Sequence, residues 1–282
     1  MQVVQSANLK METKIPKLAI IAGNGSIPFY LIEECKKIGR EYCLIIIEGH
    51  GKELSEKYDP DYIVSLSKMG RAVKYVKNIG IKHILMVGGV KRPSLKNIIP
   101  DLWTAKFLTT ISSKVRGDNS VLSKLTKALE KEGFIIVAPE EILPNLICPK
   151  GTLGKVKPNQ QNNEDISTGY SVAKIIGAND IGQSIIIENG LVIAVEAAEG
   201  TDRMIKRSLI LKKEKKAGVL IKVIKPMQDK RIDRPVIGID TIKAVKKAGL
   251  DGIALESNEI LILNYSEVIL YADKEGLFVE GI

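Results

Sequence analysis

The chain has 282 residues, of which 45% are hydrophobic and 27% are charged, and 42 lysines and arginines against 33 aspartates and glutamates give a net charge of +9. This composition excludes a disordered chain, and the length favours two domains. Three cysteines without a CxxC pair and only two histidines exclude a disulfide scaffold and a cysteine-built zinc site, so any metal must be held by carboxylates.

No stretch of the sequence predicts a membrane span or a secretion signal. The longest apolar runs, residues 43–47 and 84–87, are far shorter than the roughly 20 residues that cross a bilayer. Residues 1–16 are polar, and we expect them to be a disordered extension. We therefore expect a cytoplasmic protein. Its positive charge favours anionic partners, although a lysine-rich composition explains the charge equally well.

The first predicted unit runs from a strand at 18–22 through a glycine turn into a helix at 27–38 and a strand at 42–47. The turn is Gly23-Asn24-Gly25-Ser26, and backbone N–H groups at such a helix N-terminus attract phosphate. The third glycine of a dinucleotide fingerprint is missing, because Pro28 stands there. The alternative is a tight turn that needs glycine for backbone reasons alone.

A second glycine pair follows another predicted strand. Strands are expected at 62–66, 83–87 and 134–138, with helices at 71–78 and 102–113, a turn at 116–119 and a further helix after it. The strand at 83–87 ends in Gly88-Gly89, and Lys91 and Arg92 come next. Open α/β sheets bind ligands at the carboxyl ends of strands, and arginine grips anions with two hydrogen bonds. The pattern predicts a phosphate site, against the alternative of a solvated basic loop.

A segment rich in proline, glycine and amide side chains at 146–164 predicts a linker. It separates a nucleotide-type parallel-sheet domain at 17–145 from a second α/β domain at 165–282. The second domain is expected to contain helices at 165–176, 241–248 and 267–274, an Asn-Gly hairpin of strands 184–188 and 191–195, and strands at 218–224, 253–255, 260–263 and 277–280.

Carboxylates gather after the strand at 191–195, where Glu196, Glu199 and Asp202 fall within seven residues. The alternative explanation is a capped helix with acids in its first turn, but Glu196 continues an apolar strand and fits that less well. Carboxylates here and in the next acidic loop offer the oxygen ligands that magnesium takes, completed by water and substrate phosphate.

The loop after the strand at 218–224 interleaves acids and bases between two prolines. Asp229 and Asp233 alternate there with Lys225 and Arg231. A metal and cations around a diphosphate are what phosphoryl chemistry requires, because its barrier is mostly charge and positioning. The alternative is a salt-bridged surface loop.

These two stretches, AVEAAEGTDRM at 194–204 and KPMQDKRIDRPVIG at 225–238, resemble the signatures of the magnesium-dependent UDP-2,3-diacylglucosamine pyrophosphatases of the lipid A pathway. Shorter matches occur in the same order, among them IIAGNGSIP, MVGGVKRP, RGDN and DIGQ, so the resemblance covers about residues 17–282. It implies a Rossmann-like N-terminal domain and a distinct C-terminal α/β domain with a mixed sheet. Arg234 and Val236 depart from the resembling pattern, which more often has Leu and Thr there.

The activity that the resemblance implies is hydrolysis of the diphosphate bond of UDP-2,3-diacylglucosamine, which yields UMP and 2,3-diacylglucosamine 1-phosphate. Water is the expected nucleophile, because neither histidine lies in a triad-like context. Asp233 ranks first among the expected catalytic residues, which also include Asp229, Glu196, Lys225 and Arg231. The expected substrate contacts are Gly23, Asn24, Gly25, Ser26, Gly88, Gly89, Lys91, Arg92, Asp118, Gln183, Thr201 and Gln228. The expected ligands of Mg²⁺, or alternatively Mn²⁺, are Glu196, Glu199, Asp202 and Asp233.

Two other functions compete with hydrolysis. A nicotinamide-dependent oxidoreductase would use the glycine turn, but the fingerprint is incomplete and no hydride-transfer site is evident. A nucleic-acid-binding protein would use the net charge, but aromatic residues amount to only 5%. We expect instead a lipid-linked substrate reached from the anionic cytoplasmic face of the inner membrane, with no nucleic-acid partner. The oligomeric state stays open, and a homodimer is compatible with the sequence.

Overall fold

The computed structural model describes residues 15–91, 99–111 and 118–282, with the backbone alone described at 118–120. Most of the expected N-terminal extension, the expected substrate contact Arg92 and the first half of the expected turn at 116–119 lie outside these residues. No helix in the described ranges is long and apolar enough to cross a membrane.

A five-stranded parallel sheet forms the N-terminal domain. Its strands are β1 (Leu18–Ala22), β2 (Tyr42–Ile47), β3 (Tyr62–Val64), β4 (His83–Val87) and β5 (Ile135–Ile136), and its helices are α1 (Ile27–Lys37), α2 (Lys52–Lys57), α3 (Met69–Asn78), α4 (Leu102–Thr110), α5 (Asp118–Lys131) and α6 (Pro139–Ile142). The spatial order is β3-β2-β1-β4-β5. The chain therefore adds β2 and β3 on one side of β1, and then crosses over to add β4 and β5 on its other side. The strand order reverses between β1 and β4, and parallel sheets of this kind bind ligands at the carboxyl ends of the strands at such a switch point.

A six-stranded mixed sheet forms the C-terminal domain. Its elements are β6 (Gly151–Thr152), α7 (Gln160–Ala178), β7 (Ser184–Glu188), β8 (Leu191–Val195), α8 (Thr201–Ser208), β9 (Val219–Lys222), α9 (Ile239–Lys247), β11 (Gly252–Leu255), α10 (Tyr265–Glu275) and β13 (Phe278–Gly281). The order is β6-β13-β11-β9-β7-β8, with β9, β11 and β13 parallel and the others antiparallel to their neighbours. Two short strands, β10 (Val236–Ile237) and β12 (Leu261–Ile262), pair separately.

Apolar side chains cover both faces of each sheet. In the first domain, alternate residues of β1 enter opposite clusters: Ala19 and Ile21 lie on one face, and Leu18 and Ile20 on the other. The two faces of the second sheet are packed in the same way. Burial on both faces is what the continuous apolar strands predict, and it confirms the expected pairing of a parallel-sheet domain with a mixed-sheet α/β domain.

Several boundaries differ from the sequence-based expectation. Part of the expected linker is ordered within the second domain, because β6 pairs with β13 and α7 begins at Gln160, capped by the Asn159 side chain. The turn expected at 116–119 already contains the start of α5 at Asp118, and the helix expected to reach residue 113 ends at Thr110. Short polar segments carry weak periodicity, so such ends are set by tertiary contacts instead.

Candidate active site

The two glycine segments of the first domain meet at the ends of β1 and β4. The Gly23 N–H donates to the carbonyl of Val87 at 2.8 Å, and Asn24 and Gly89 exchange backbone hydrogen bonds of 2.9 and 2.8 Å. A Cβ on Gly23 would lie 2.6 Å from the Gly89 carbonyl oxygen, and Gly88 has φ of +90°. The glycines are therefore required for this close backbone approach, which places both segments at the switch point.

The loop after β2 joins the same edge of the sheet. The Gly51 N–H donates to Oδ1 of Asn24 at 2.9 Å. The His50 ring lies between two backbone groups: its Nδ1 is 3.0 Å from the Glu48 carbonyl oxygen, and its Nε2 accepts from the Lys91 N–H at 3.0 Å. This arrangement assigns the ring proton to Nδ1. His50 thus fixes the backbone beside Gly89, a role that its glycine-flanked sequence context does not indicate.

In the second domain, the loop after β9 is held together by its own side chains. Gln228 donates from Nε2 to Oδ2 of Asp233 at 2.6 Å, and its Oε1 accepts from the Lys225 N–H at 3.2 Å. Lys225 pairs through Nζ with Oδ1 of Asp180 at 2.5 Å. Gln228, an expected substrate contact, therefore orients the expected catalytic carboxylate of Asp233.

Asp229 is committed to Arg231. The guanidinium donates to both carboxylate oxygens, from Nε at 3.0 Å and from a terminal nitrogen at 2.9 Å. Burial works to raise the pKa of Asp229, but the hydrogen bonds and charge of Arg231 outweigh it and lower that pKa. Arg231 also reaches Glu130 of α5 at 2.6 Å, so it links the two domains. Asp229 and Arg231 therefore stabilise this loop and its contact with the first domain.

A cleft of about 300 Å³ separates the two domains at this point. The first domain lines it with Asn24, Gly25, Ser26, Gly88 and Gly89, and the second domain adds Ile232, Asp233 and Arg234. Asp233 is the one acidic residue among the described lining residues. The cleft thus brings together the glycine segments expected to contact substrate and the carboxylate expected to be catalytic, although they lie more than a hundred residues apart in the chain.

Arg234, which departs from the resembling pattern, spans the side of the cleft. Its side chain is 8% exposed and donates to Oε1 of Glu140 at 2.5 Å and to the Asn258 carbonyl at 2.9 Å. Glu140 belongs to α6 of the first domain and is itself largely buried. This ion pair is a second link between the domains, next to Asp233 in the chain.

Glu196, Gln183 and Thr201 form a separate group, in which Glu196 is buried and the other two are half-buried. The Thr201 hydroxyl donates to Oε1 of Glu196 at 2.9 Å, and Oε2 of Glu196 is 3.3 Å from the Gln183 N–H. Nζ of Lys222 donates to the Thr201 hydroxyl at 2.8 Å. The Glu196 carboxylate is thus held from several directions at the end of β8. The sequence interpretation misses Lys222, because it stands inside the apolar run of β9 and has no motif of its own.

The four expected metal ligands do not form one centre. Glu199 pairs with Arg207 of α8 at 2.7 Å, and Glu196 faces Thr201. Within the described ranges, no group of three or more His, Cys, Asp or Glu side chains is arranged to hold a metal ion. The carboxylate of Asp233 in the cleft is compatible with a magnesium ion whose other ligands are substrate phosphate oxygens and water. Among the other expected contacts, Asp118 begins α5, but its side chain lies outside the described part, as does Arg92.

Comparison with protein families covers both domains in turn. Residues 17–146 match the model of the LpxI N-terminal domain, and residues 149–280 match the model of the LpxI C-terminal domain. The chain belongs to the LpxI family. Its domains follow one another in the family order, with the family boundary falling between residues 146 and 149.

A relative from Caulobacter vibrioides, named UDP-2,3-diacylglucosamine pyrophosphatase LpxI, is 36% identical over 273 residues, which cover 94% of this chain and 97% of the relative. Among solved structures, the Bordetella bronchiseptica enzyme WbmG in complex with NAD and UDP has a TM-score of 0.30 and 10% identity, covering 92% of this chain and 94% of that chain. The structure of gox2253 has a TM-score of 0.30 and 8% identity over 93% and 84% of the two chains. Likenesses this weak carry no argument about a nicotinamide cofactor in this LpxI-family chain.

Proposed function

We propose that this chain hydrolyses the diphosphate bond of UDP-2,3-diacylglucosamine, releasing UMP and 2,3-diacylglucosamine 1-phosphate, as a step of lipid A biosynthesis. The observation that carries the proposal is the cleft, because it sets the glycine-rich edge of the first sheet opposite Asp233 of the second domain. The name of the Caulobacter relative, which matches over nearly the whole of both chains, supports the same substrate.

Binding of the diphosphate is assigned to the first domain. Backbone N–H groups around Gly25 and Gly88 and the N-terminus of α1 lie at the cleft, where the helix dipole favours negative charge. Glycine lets the phosphates approach the backbone closely. Lys91, whose backbone His50 fixes, adds a positive charge beside them. These contacts hold the substrate without depending on Asp233.

The chemical step is assigned to Asp233. A water molecule attacks one phosphorus of the diphosphate, its proton passes to the Asp233 carboxylate, and the bridging P–O bond breaks so that the leaving phosphate departs with the bridging oxygen. The hydrogen bond from Gln228 orients the carboxylate for this transfer. Magnesium bound by Asp233 together with the diphosphate oxygens would neutralise the developing charge, and manganese could replace it.

We also propose that the protein visits an anionic membrane surface to reach its lipid substrate. The net charge of +9 supplies the attraction, which amounts to about 1 kcal/mol per basic residue near such a surface and is screened by salt. Co-sedimentation with vesicles rich in anionic lipid should therefore weaken as salt rises. Binding that is equal in low and high salt would contradict this electrostatic account.

The function is tested with the purified full-length chain, UDP-2,3-diacylglucosamine and magnesium, by measuring UMP release. We expect turnover that stops in EDTA and returns with added magnesium or manganese. Absence of UMP with the metal present would overturn the proposed reaction, and full turnover after exhaustive chelation would overturn the metal dependence alone.

A further inference from the structure

Lys222 is a buried lysine at the centre of the second sheet. It ends β9, where its register partners are Ser184 of β7 and Leu255 of β11. Its residue exposure is only 5%, and Ser184 is fully buried. An ammonium group in such a place loses most of its hydration, so its surroundings must compensate for the loss.

The compensation begins with Thr201, the first residue of α8. A threonine hydroxyl has one proton to donate and two lone pairs to accept with. Thr201 gives its proton to Glu196 at 2.9 Å, accepts from Nζ of Lys222 at 2.8 Å, and lies 3.3 Å from the Ser184 hydroxyl. A lysine ammonium can only donate and a carboxylate can only accept, so with these two groups at its ends each proton in this chain of bonds has one direction.

Three carboxylates also act on the charge of Lys222. Burial lowers the pKa of Lys222, and the negative charges of Glu196, Asp202 and Asp233 oppose that shift. These are three of the four residues expected from the sequence to surround a metal ion. The structure places a protein cation among them, and Glu196 is bound to that cation through a single hydroxyl.

We propose that Lys222 is a positioning residue of the active site, the fixed cation that holds the Glu196 carboxylate through Thr201 and stabilises the negative charge of Asp233. Lys222 does not line the cleft, so it acts through these neighbours. Glu196 then orients the end of β8 through Gln183 and is not a metal ligand. This inference rests on the proposed hydrolysis.

The test compares Lys222→Met, which removes the charge at similar length, with Lys222→Arg, which keeps it. Lys222→Met should lower kcat by about 10- to 100-fold with KM changed less than about 3-fold, because misplacement of a reacting group costs rate on this scale. Lys222→Arg should recover part of that loss. Lys212→Met is the matched control: Lys212 is also partly buried, but its Nζ bonds the carbonyls of Ala248 and Gly249 at the far end of β9, so its kcat should stay near wild type.

A double-mutant cycle shows whether Lys222 acts through Glu196. Adding Glu196→Gln to Lys222→Met should lower kcat by less than about 3-fold further, since coupled residues are not additive. Multiplied losses, or a Lys222→Met enzyme with wild-type kcat, would overturn the proposal. Should Lys222→Met fail to fold, Thr201→Val removes the same link, and normal kcat in that variant would be equally decisive against it.

Two further measurements separate this inference from the proposed function. The first is the melting temperature of the wild type, Lys222→Met, Glu196→Gln and the double variant, which is measured without substrate. The double variant should lose less than the sum of the two single losses, and additive losses would contradict the link between Lys222 and Glu196. Titration of the protein with Mn²⁺ and UDP, followed by electron paramagnetic resonance, should give an affinity that Glu196→Gln lowers by less than about 100-fold, the range for a residue that supports the metal ligands without binding the metal. A larger loss of Mn²⁺ binding in Glu196→Gln would make Glu196 a metal ligand and overturn the assignment, whether or not the wild type releases UMP.

Discussion

Replacing Asp233 by asparagine keeps the size and shape of the side chain and removes its negative charge. An asparagine oxygen can still accept from Gln228, so at this hydrogen bond the variant loses the difference between a charge-assisted bond and a neutral one, about 1 kcal/mol. For a chain of this size that corresponds to a fall in melting temperature of roughly 2–4 °C. Turnover should change far more. Loss of a general base costs about 100-fold or more, which is about 2.7 kcal/mol of transition-state stabilisation.

The assay for this variant is UMP release under saturating UDP-2,3-diacylglucosamine, with KM measured alongside. KM should change far less than kcat, because most of the expected phosphate contacts are backbone groups of the other domain and Asp233 would reach the diphosphate only through magnesium. Asp240→Asn is the control. This side chain is 93% exposed and its ion pair with Lys243 is long, at 3.9 Å, so neither kcat nor the melting temperature should change. Near-normal turnover of Asp233→Asn would refute the catalytic assignment, and joint loss of folding and binding would make Asp233 a structural residue.

Two further predictions concern the architecture that builds the cleft. Gly23→Ala should destabilise the chain by about 1–3 kcal/mol in urea unfolding and weaken UDP binding, because its Cβ would meet the Gly89 carbonyl oxygen at 2.6 Å. A Cβ on Gly89 meets no protein atom within 4 Å, so Gly89→Ala should leave the free energy of unfolding unchanged; equal stability of the two variants would refute the close approach. Arg234→Leu should lower the free energy of unfolding by about 3–5 kcal/mol, because it leaves Glu140 buried and unpaired. Adding Glu140→Leu should recover most of that loss, and additive losses would show that the two residues do not act as a pair.

Much of the fold follows from local pattern. Apolar runs such as residues 18–22 and 42–47 become strands of the parallel sheet within a residue of their expected ends. The glycine turn at 23–26 marks the switch point because only glycine permits the backbone of β1 to pass so close to that of β4. Asp233 ranks first from the sequence because Arg231 and Pro235 restrict its loop and the motif of the resembling family centres on it, and the structure places it in the cleft. These features depend on neighbours in the chain, which a sequence displays directly.

The parts of the site that the sequence does not reveal depend on contacts between distant residues. Glu199 is expected from the sequence to bind metal, but Arg207 on the next helix takes its carboxylate. Lys222 carries no signal, because a single lysine in an apolar strand is indistinguishable by pattern from an exposed edge residue until the packing of Thr201 over it is known. His50 stands between two glycines, and this context indicates no role for it, but its ring joins two loops across the sheet edge. Spacing along the chain does not encode which side chain reaches a charge first.

One diphosphate should lie between the glycine segments of the first domain and Asp233 of the second. A crystal structure of the Asp233→Asn protein with UDP-2,3-diacylglucosamine tests this placement most directly, because the slowed variant retains the intact substrate. We expect phosphate oxygens within hydrogen-bond distance of the backbone at Gly25 or Gly88, with the substituted side chain at position 233 facing the bridging phosphoryl group. A diphosphate bound outside this cleft, or one contacted by a single domain, would contradict it.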